Sequence, residues 1–509
     1  MDHSDVHVIA RHTVQSADLP VPISATSTNT TFPFLLGPLD HLGSPGIPVG
    51  VVWVYEPSST CPKPAPIETL TLALSRLLDY YPHLTGRLHI DASSGIRVIN
   101  QQETGIHLYE ARCNTSLSKF YKMSTEELSL GLGDLGGTSV ALMAPWEVSE
   151  ESVQREPLLC VQHTRFACGS MALGIRLARV MAGAGGFLQL FRHLAELYRA
   201  VADDGMEEPT LKNPPHIMPF MVEEMAGYIA TKDTPTASLH QPAGYSTERI
   251  VEEPALARDA PEVITPEAIA PACQVIGREI RFTVSELAAL KASAMPPDGD
   301  SWVSTFSALS AYIWQRSQIA RLRTQASAQG CGDLALQPCA FFTSVDFSSK
   351  ISLPQPYFPS AVVTPSVQLP ASELVDAPLW RVAKAIHDAT RAVSPEMVRN
   401  LGNWVIAQPR KQDIRQTTTF GTNSVITTAW NKHSLYTGAD LDIPPTIACV
   451  PITPTNLVDG LGFFLQPREG KGDIIVALAL KQAVWENLDN DANWRVTTRG
   501  SVHPVADSR

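Results

Sequence analysis

Two blocks of alternating strand and helix signals flank a proline-rich stretch from Glu207 to Cys273. No other feature limits the possible folds as strongly. Within the stretch, "EEPTLKNPPHIMPF" and "DAPEVITPEAIAPAC" interrupt the apolar periodicity, leaving one short helix signal at "MVEEMAGYIA". A structureless loop of that length inside one compact domain is unusual. The stretch therefore reads as a crossover between two domains, giving residues 1–210, a linker over 211–275, and 276–509. A chain of 509 residues is long enough to bury two cores.

The first block holds the strand-like "VGVVWVY" and then "IETLTLALSRLLDYYPHL", whose Leu70, Leu72, Leu74, Leu77 and Leu78 suit a helix ending before Pro82. "LLCVQHTRF" and "MALGIRLARV", separated by "ACGS", read as a β-hairpin. A helix over about Gly185–Val201 follows, burying Phe187, Leu190, Phe191, Leu194, Leu197 and Tyr198. The second block gives strands at "GREIRFTV", "ALQPCAFFTSVDF", "SVITTAW" and "DIIVALAL". Its helices fall at "SELAALKASA", "LWRVAKAIHDATRAV", "KQAVWENLDND" and "SWVSTFSALSAYIWQRSQIARLR", the last read as strongly amphipathic. The expected fold is a two-domain α/β protein of mixed sheets and flanking helices, with a ligand channel between the domains.

Charge and composition exclude several classes. The net charge is −12 and no basic stripe offsets it, so nucleic acid is not an expected partner. No apolar run reaches the roughly 18 residues of a membrane span, and the polar first thirty residues carry no signal-peptide pattern. A cytoplasmic monomer is the expectation. The eight cysteines form no C-x-x-C pair, so reduced thiols and no metal site are expected. A polyanionic substrate would need a basic patch, and "QPRKQDIR", with Arg410, Lys411 and Arg415, is the best candidate, although such runs are more often solvated loops.

The hairpin ends at "GIRLARVMAGAGG", where a strand runs through a tight turn into a helix. Backbone N–H groups converge at such helix starts. Yet Arg179, Val180, Met181, Ala182 and Gly183 include no ordinary proton acceptor. Two other motifs fail on context: "GLGDLG" (Gly131–Gly136) has no preceding strand or following helix for a dinucleotide site, and "CGSMA" around Ser170 lacks the second glycine of a nucleophile elbow.

Several stretches in the same order resemble the BAHD acyltransferase family, particularly its divergent fungal branch that includes trichothecene acetyltransferases. They are "GPLDHLGSP", "LALSRLLDYYPHLTGRL", "STFSALSAYIWQRSQIAR", "SVDFSSKISLPQPYF", "TTAWNKHSLYTGADLDIP" and "DGLGFFLQPREGKGDIIVALAL". The resemblance implies the two-domain BAHD, or chloramphenicol-acetyltransferase-like, fold. It also implies an HxxxD motif whose His is the general base for acyl transfer from acyl-CoA. Here Arg179 stands at the His and Gly183 at the Asp. Asp440 keeps the first position of the family's DFGWG block, Asp346 its VD block, and Ser348 and Ser360 replace an Arg and an Asn.

Arg179 cannot be the base, because a guanidinium carries no free lone pair at neutral pH. It can donate hydrogen bonds, next to a helix start that adds positive potential. Three functions follow. The first is a natural-product cyclase or isomerase with no cofactor, in which Arg179 polarises a hydrophobic substrate bound at Gly183 and Gly185. The second is an acyl-CoA-dependent acyltransferase with a relocated base, His163 or His433. The third is a non-catalytic metabolite binder. Trp430 and Thr428 match the aromatic and hydroxyl positions of a family block and are expected to line the channel; a core position for Trp430 is equally compatible. His163 faces either the channel or the opposite side, depending on strand register. His193, inside the helix, reads as structural or solvated.

Overall fold

The computed structural model describes residues 5–494 except 22–32, 101–103, 125–126, 131–138, 148, 204–207, 232–239, 248–273, 298, 300–301, 329–337, 418–422, 452, 454 and 470–471. "GLGDLG", most of the proline-rich stretch, Cys273 and Cys331 lie outside the described residues.

The principal strands, in chain order, are β1 (Val6–Val14), β2 (Pro48–Tyr55), β3 (Ile106–Cys113), β4 (Leu159–Phe166), β5 (Met171–Ala178), β6 (Val275–Phe282), β7 (Pro338–Thr343), β8 (Ser366–Pro370), β9 (Ser424–Ala429), β10 (Ile447–Cys449), β11 (Leu461–Leu465) and β12 (Ile474–Lys481). The principal helices are α1 (Ile67–Tyr80), α2 (Ala184–Ala202), α3 (Thr305–Ala328), α4 (Leu379–Arg391) and α5 (Pro395–Ala407). One mixed sheet runs β1-β3-β4-β5-β2-β10 and the other β6-β12-β11-β9-β7-β8. The first includes one parallel pair, β3–β4, and the second two, β7–β9 and β9–β11. Strand β10 comes from the second half of the chain but pairs with β2, Ala448 opposite Trp53. The second half thus completes the first sheet, which ties the two bodies together.

Local sequence explains the helices that frame the site. Helix α1 follows Pro66, buries Leu70, Ala73, Leu74, Leu77 and Leu78, and ends before Pro82. Leu72 is 60% exposed, because two residues past Leu70 lies about 200° around a 3.6-residue turn. Helix α2 buries the whole expected apolar stripe, from Phe187 to Tyr198. Both helices cover one face of the first sheet, and Phe191 stacks on Trp53 of β2 with ring centroids 3.6 Å apart. Helix α3 corrects the expectation of amphipathicity. Its buried residues include Ser307, Ala308, Leu309, Ser310, Ala311, Gln315, Ser317, Gln318 and Arg321 and so encircle the axis. Small and polar residues take those positions because the sheet and surrounding helices, α4 included, leave little of α3 free. Some buried polar groups there are bonded inward, Ser310 Oγ to Thr427 Oγ1 at 2.9 Å and Gln315 Nε2 to the carbonyl of Ala377 at 2.8 Å.

No described helix is long and apolar enough to cross a membrane. Among the described residues no cysteine is bridged, and no group of His, Cys, Asp or Glu is arranged to hold a metal.

Candidate functional site at the start of α2

Strands β4 and β5 pair antiparallel as expected, with Gly169 at φ +89° closing the hairpin. Strand β5 delivers the chain to the turn at Arg179–Gly183, and α2 begins at Ala184 with Gly183 as an uncapped N-cap. The first turn of α2 passes very close to the second half of the chain. A Cβ on Gly186 would sit 2.1 Å from the carbonyl oxygen of Phe358, and one on Gly183 3.0 Å from Val362 Cγ2. Glycine is required at position 186 because backbone meets backbone there.

Gly185 opens onto different chemistry. A Cβ there would lie 3.4 Å from His433 Cε1, 3.8 Å from His433 Nε2 and 3.9 Å from Asp346 Oδ2. The structure therefore brings His433 and Asp346 together across the first turn of α2, beside amides that have no helical partner. Neither ring nitrogen of His433 bonds a described residue. Burial lowers its pKa, Arg192 and Lys432 lower it further, and Asp346 opposes them. The ring is neutral at pH 7 and able to accept a proton. Asp346 keeps an exposed side chain, and its Oδ1 accepts the Ser348 N–H at 2.8 Å.

The loop carrying His433 is held mainly by α2 and β2. Arg192 donates to the carbonyls of Ser434, at 3.0 Å, and Thr437, at 3.2 Å. Trp53 Nε1 donates to Leu435 O at 2.8 Å, and Tyr55 Oη to Ala439 O at 2.7 Å. Asp442 Oδ2 accepts the Ala65 N–H at 2.7 Å and the Tyr198 hydroxyl at 2.8 Å. The anchoring carboxylate of the degenerate DFGWG block is thus Asp442. Asp440, singled out from the sequence, offers its main-chain carbonyl to Arg199.

Arg179 opens the same turn. Its Nη1 donates to Ala182 O at 2.9 Å, and its amide to Ile47 O at 3.2 Å. Burial works against its charge and the Asp40 carboxylate supports it. The guanidinium closes its own turn.

His163 is not brought to this turn. It pairs with Leu173, which pairs with Trp53, so it faces α1. At about 3.3 Å per residue, Leu173 is roughly 20 Å along β5 from Arg179. His163 Nε2 hydrogen-bonds the Ala65 carbonyl at 2.8 Å, and burial pushes its pKa down to about 4. It lines a separate crevice of about 450 Å³ with Arg165, Arg112 and Glu110. Trp430 is a core residue, 7% exposed and edge-on to Phe463. Thr428 is half-buried on β9 opposite Phe463. His193 is structural, its Nδ1 sharing a 2.7 Å hydrogen bond with the Tyr81 hydroxyl.

The "QPRKQDIR" patch is spent on structure. Lys411 is buried, its Nζ donates to the carbonyls of Ile406 and Gln408, and it lies over the Tyr228 ring. Arg410 pairs with Asp413. A different group of cations forms near His433. Lys350 is exposed and its Nζ donates to the Val393 carbonyl at 2.8 Å; burial and the charges of Arg391 and Lys432 lower its pKa, so three cations from three segments act on one another. Arg391 also lies over the ring of Trp302, which is 52% exposed. Sequence reading missed this cluster because no two of its members are near in the chain.

A model described as the Transferase family matches residues 13–493. The O-acyltransferase pigD of Monascus ruber is 26% identical over 253 residues, 48% of this chain and 53% of that protein. The chain therefore spans about half of that relative. The hydroxycinnamoyl-CoA:5-hydroxyanthranilate N-hydroxycinnamoyltransferase HHT4 of Avena sativa is 23% identical over 411 residues, 80% of this chain and 81% of that protein. Among solved structures, F. graminearum TRI101 complexed with coenzyme A and deoxynivalenol superimposes with a TM-score of 0.65 and 17% identity, covering 91% of this chain and 98% of that one.

Proposed function

The chain belongs to the Transferase family, the BAHD acyltransferases, and from that premise we propose that it transfers an acyl group with His433 as the general base. The observation that carries this reading is the neutral His433 ring facing the side-chain-free Gly185. There a base stands beside the N–H groups that start α2, the two elements acyl transfer needs.

In the proposed reaction, His433 takes the proton of the acceptor hydroxyl or amine. The acceptor attacks the thioester carbonyl, and the α2 amides stabilise the oxyanion. The tetrahedral intermediate then expels the thiolate of coenzyme A, which recovers the proton from His433. Asp346 favours the imidazolium that forms between the two steps. Lys350, Arg391 and Lys432 suit the phosphates of an acyl-CoA, with Trp302 a flat face beside them. The relatives named above point to a small natural-product alcohol or amine as acceptor.

One observation favours the cyclase reading: apart from Nη1, the donors of Arg179 bond no described residue. The two readings separate by mass. The purified chain would be incubated with acetyl-CoA or a hydroxycinnamoyl-CoA and an acceptor panel including deoxynivalenol and 5-hydroxyanthranilate. Release of free coenzyme A would report slow transfer to water if no acceptor suits. Acyl mass gain or thiol release that disappears in His433→Gln supports acyl transfer. Rearrangement of an added substrate without mass change, lost in Arg179→Gln, overturns it.

A further inference from the structure

The crevice beside His163 has no part in the acyl-transfer reading. It holds about 450 Å³, within the range of small-molecule pockets. Two rungs of the parallel β3–β4 pair build its wall: Glu110 is opposite His163, and Arg112 is opposite Arg165. Partners in register share a face, and so do residues two apart on one strand. All four side chains therefore project from one face, and all four line the crevice. Neighbouring strands are about 4.8 Å apart, and like charges directly opposite each other destabilise a sheet. The Arg112–Arg165 rung gains from an anion held between its two guanidinium groups.

No described carboxylate forms an ion pair with either arginine. Arg165 is half-buried and oriented by main chain, Nη1 donating to Gly169 O at 3.1 Å and Nη2 to Ala65 O at 3.2 Å. The Ala65 peptide is fixed in turn, its N–H donating to Asp442 Oδ2 at 2.7 Å. Arg112 is exposed and bonds no described residue. Glu110, two positions before it on β3, pairs instead with His12 of β1 at 3.6 Å. His163 donates its Nε2–H to Ala65 O at 2.8 Å and is neutral, since burial and Arg165 push its pKa down to about 4. Its Nδ1 keeps a lone pair and has no partner among the described residues. The start of α1 borders the crevice through Ile67 and Glu68, and its N-cap, Pro66, offers no side-chain acceptor to the first amides, which have no helical partner.

The lining fixes the class of ligand. Lys63, Arg112 and Arg165 against Glu68 and Glu110 leave one net positive charge, in a chain whose net charge is −12. A carboxylate balances that charge, whereas a phosphate dianion exceeds it. The flat guanidinium fork also matches a carboxylate. Phe166 and Ile67 add apolar surface for an organic body. We propose that this crevice is a second ligand site, which binds a small organic monocarboxylate with its carboxylate on the Arg112–Arg165 rung. The site is independent of which reaction the α2 turn performs.

The test is isothermal titration calorimetry of the full chain at low salt with benzoate, its neutral isostere benzamide, and inorganic phosphate. Saturable benzoate binding with a Kd of about 1 mM or tighter is expected, with benzamide and phosphate each about tenfold weaker. Arg112→Gln removes an exposed side chain that bonds no described residue, so Tm is expected to hold while the benzoate Kd rises about tenfold. Arg165→Gln is expected to weaken benzoate by a similar factor. Lys350→Gln, which removes a cation of the His433 side, is expected to change the benzoate Kd by less than about twofold. Absence of benzoate binding, equal affinity for benzoate and phosphate, or benzoate binding unaffected by Arg112→Gln overturns the proposal.

Discussion

A guanidinium, Arg179, and an imidazole, His433, stand at the start of α2, each near a carboxylate, and their surroundings are built differently. On one side Asp40 is buried and Arg179 half-buried; the guanidinium closes its own turn through Ala182 O, and the carboxylate accepts the Gly37 N–H. On the other side Asp346 is exposed and the His433 ring bonds no described residue, while the loop beneath them is fixed by Arg192, Trp53, Tyr55 and Asp442. On the Arg179 side, one guanidinium N–H and one carboxylate oxygen hold local main chain. The open side leaves the ring nitrogens free for a substrate because main-chain anchors do the holding. Under the proposed acyl-transfer reading, the base stands at His433 and not at Arg179.

The sharpest way to break this contrast is to remove each nitrogen side chain in turn. His433→Gln is expected to lower acyl transfer by about 10²- to 10⁴-fold with little change in Tm. Arg179→Gln is expected to lower it less, about tenfold. Reversal of that order in steady-state kinetics would put the chemistry on the Arg179 side. Next comes the scaffold of the open side. Asp442→Ala removes the acceptor for two part-buried hydrogen bonds, from Ala65 N and Tyr198 Oη, and is expected to cost about 1–2 kcal/mol in denaturant unfolding, with activity falling as the His433 loop loosens. Smaller still, Gly185→Ala places a methyl in ordinary contact, 3.4 Å from His433 Cε1. It is expected to raise KM for the acceptor several-fold at nearly constant Tm, because the new methyl occupies space the acceptor needs. Last, His163→Leu is expected to leave kcat/KM within about twofold, since His163 lies roughly 20 Å along the strand from the turn. A large loss there would show that the crevice beside it communicates with the site.

Much of the architecture was legible from periodicity and punctuation. The α1 stripe ending at Pro82, the β4–β5 hairpin and the apolar face of α2 are all local patterns. The error on α3 is equally local in origin: a helix surrounded on all sides carries small and polar residues where an exposed one carries charge, and the sequence of α3 alone does not reveal what surrounds it. The site was legible only in part. His433 and Asp346 were both named, but nothing in the sequence says that residues 87 positions apart meet over Gly185. Asp40 lay in a quoted motif without a role. Lys350, Arg391 and Lys432 gave no signal, whereas the contiguous "QPRKQDIR" gave a false one, because a run of cations looks like a patch even when main-chain carbonyls absorb it.

The sequence by itself determined that two α/β bodies form, that a strand runs through a glycine turn into an amphipathic helix, and that the turn holds an arginine where a base would be expected. Local propensity and side-chain periodicity act within a few residues, so the chain carries that information directly. Only the tertiary structure decided which side of the turn is closed and which is open. That outcome depends on long-range packing: Gly186 against Phe358 O, the 430–444 loop anchored to α2 and β2, and Asp40 buried in the Pro38–His41 turn. Burial and hydrogen-bond satisfaction at those contacts set the charge and freedom of each group, and neither can be read from a residue's neighbours in sequence.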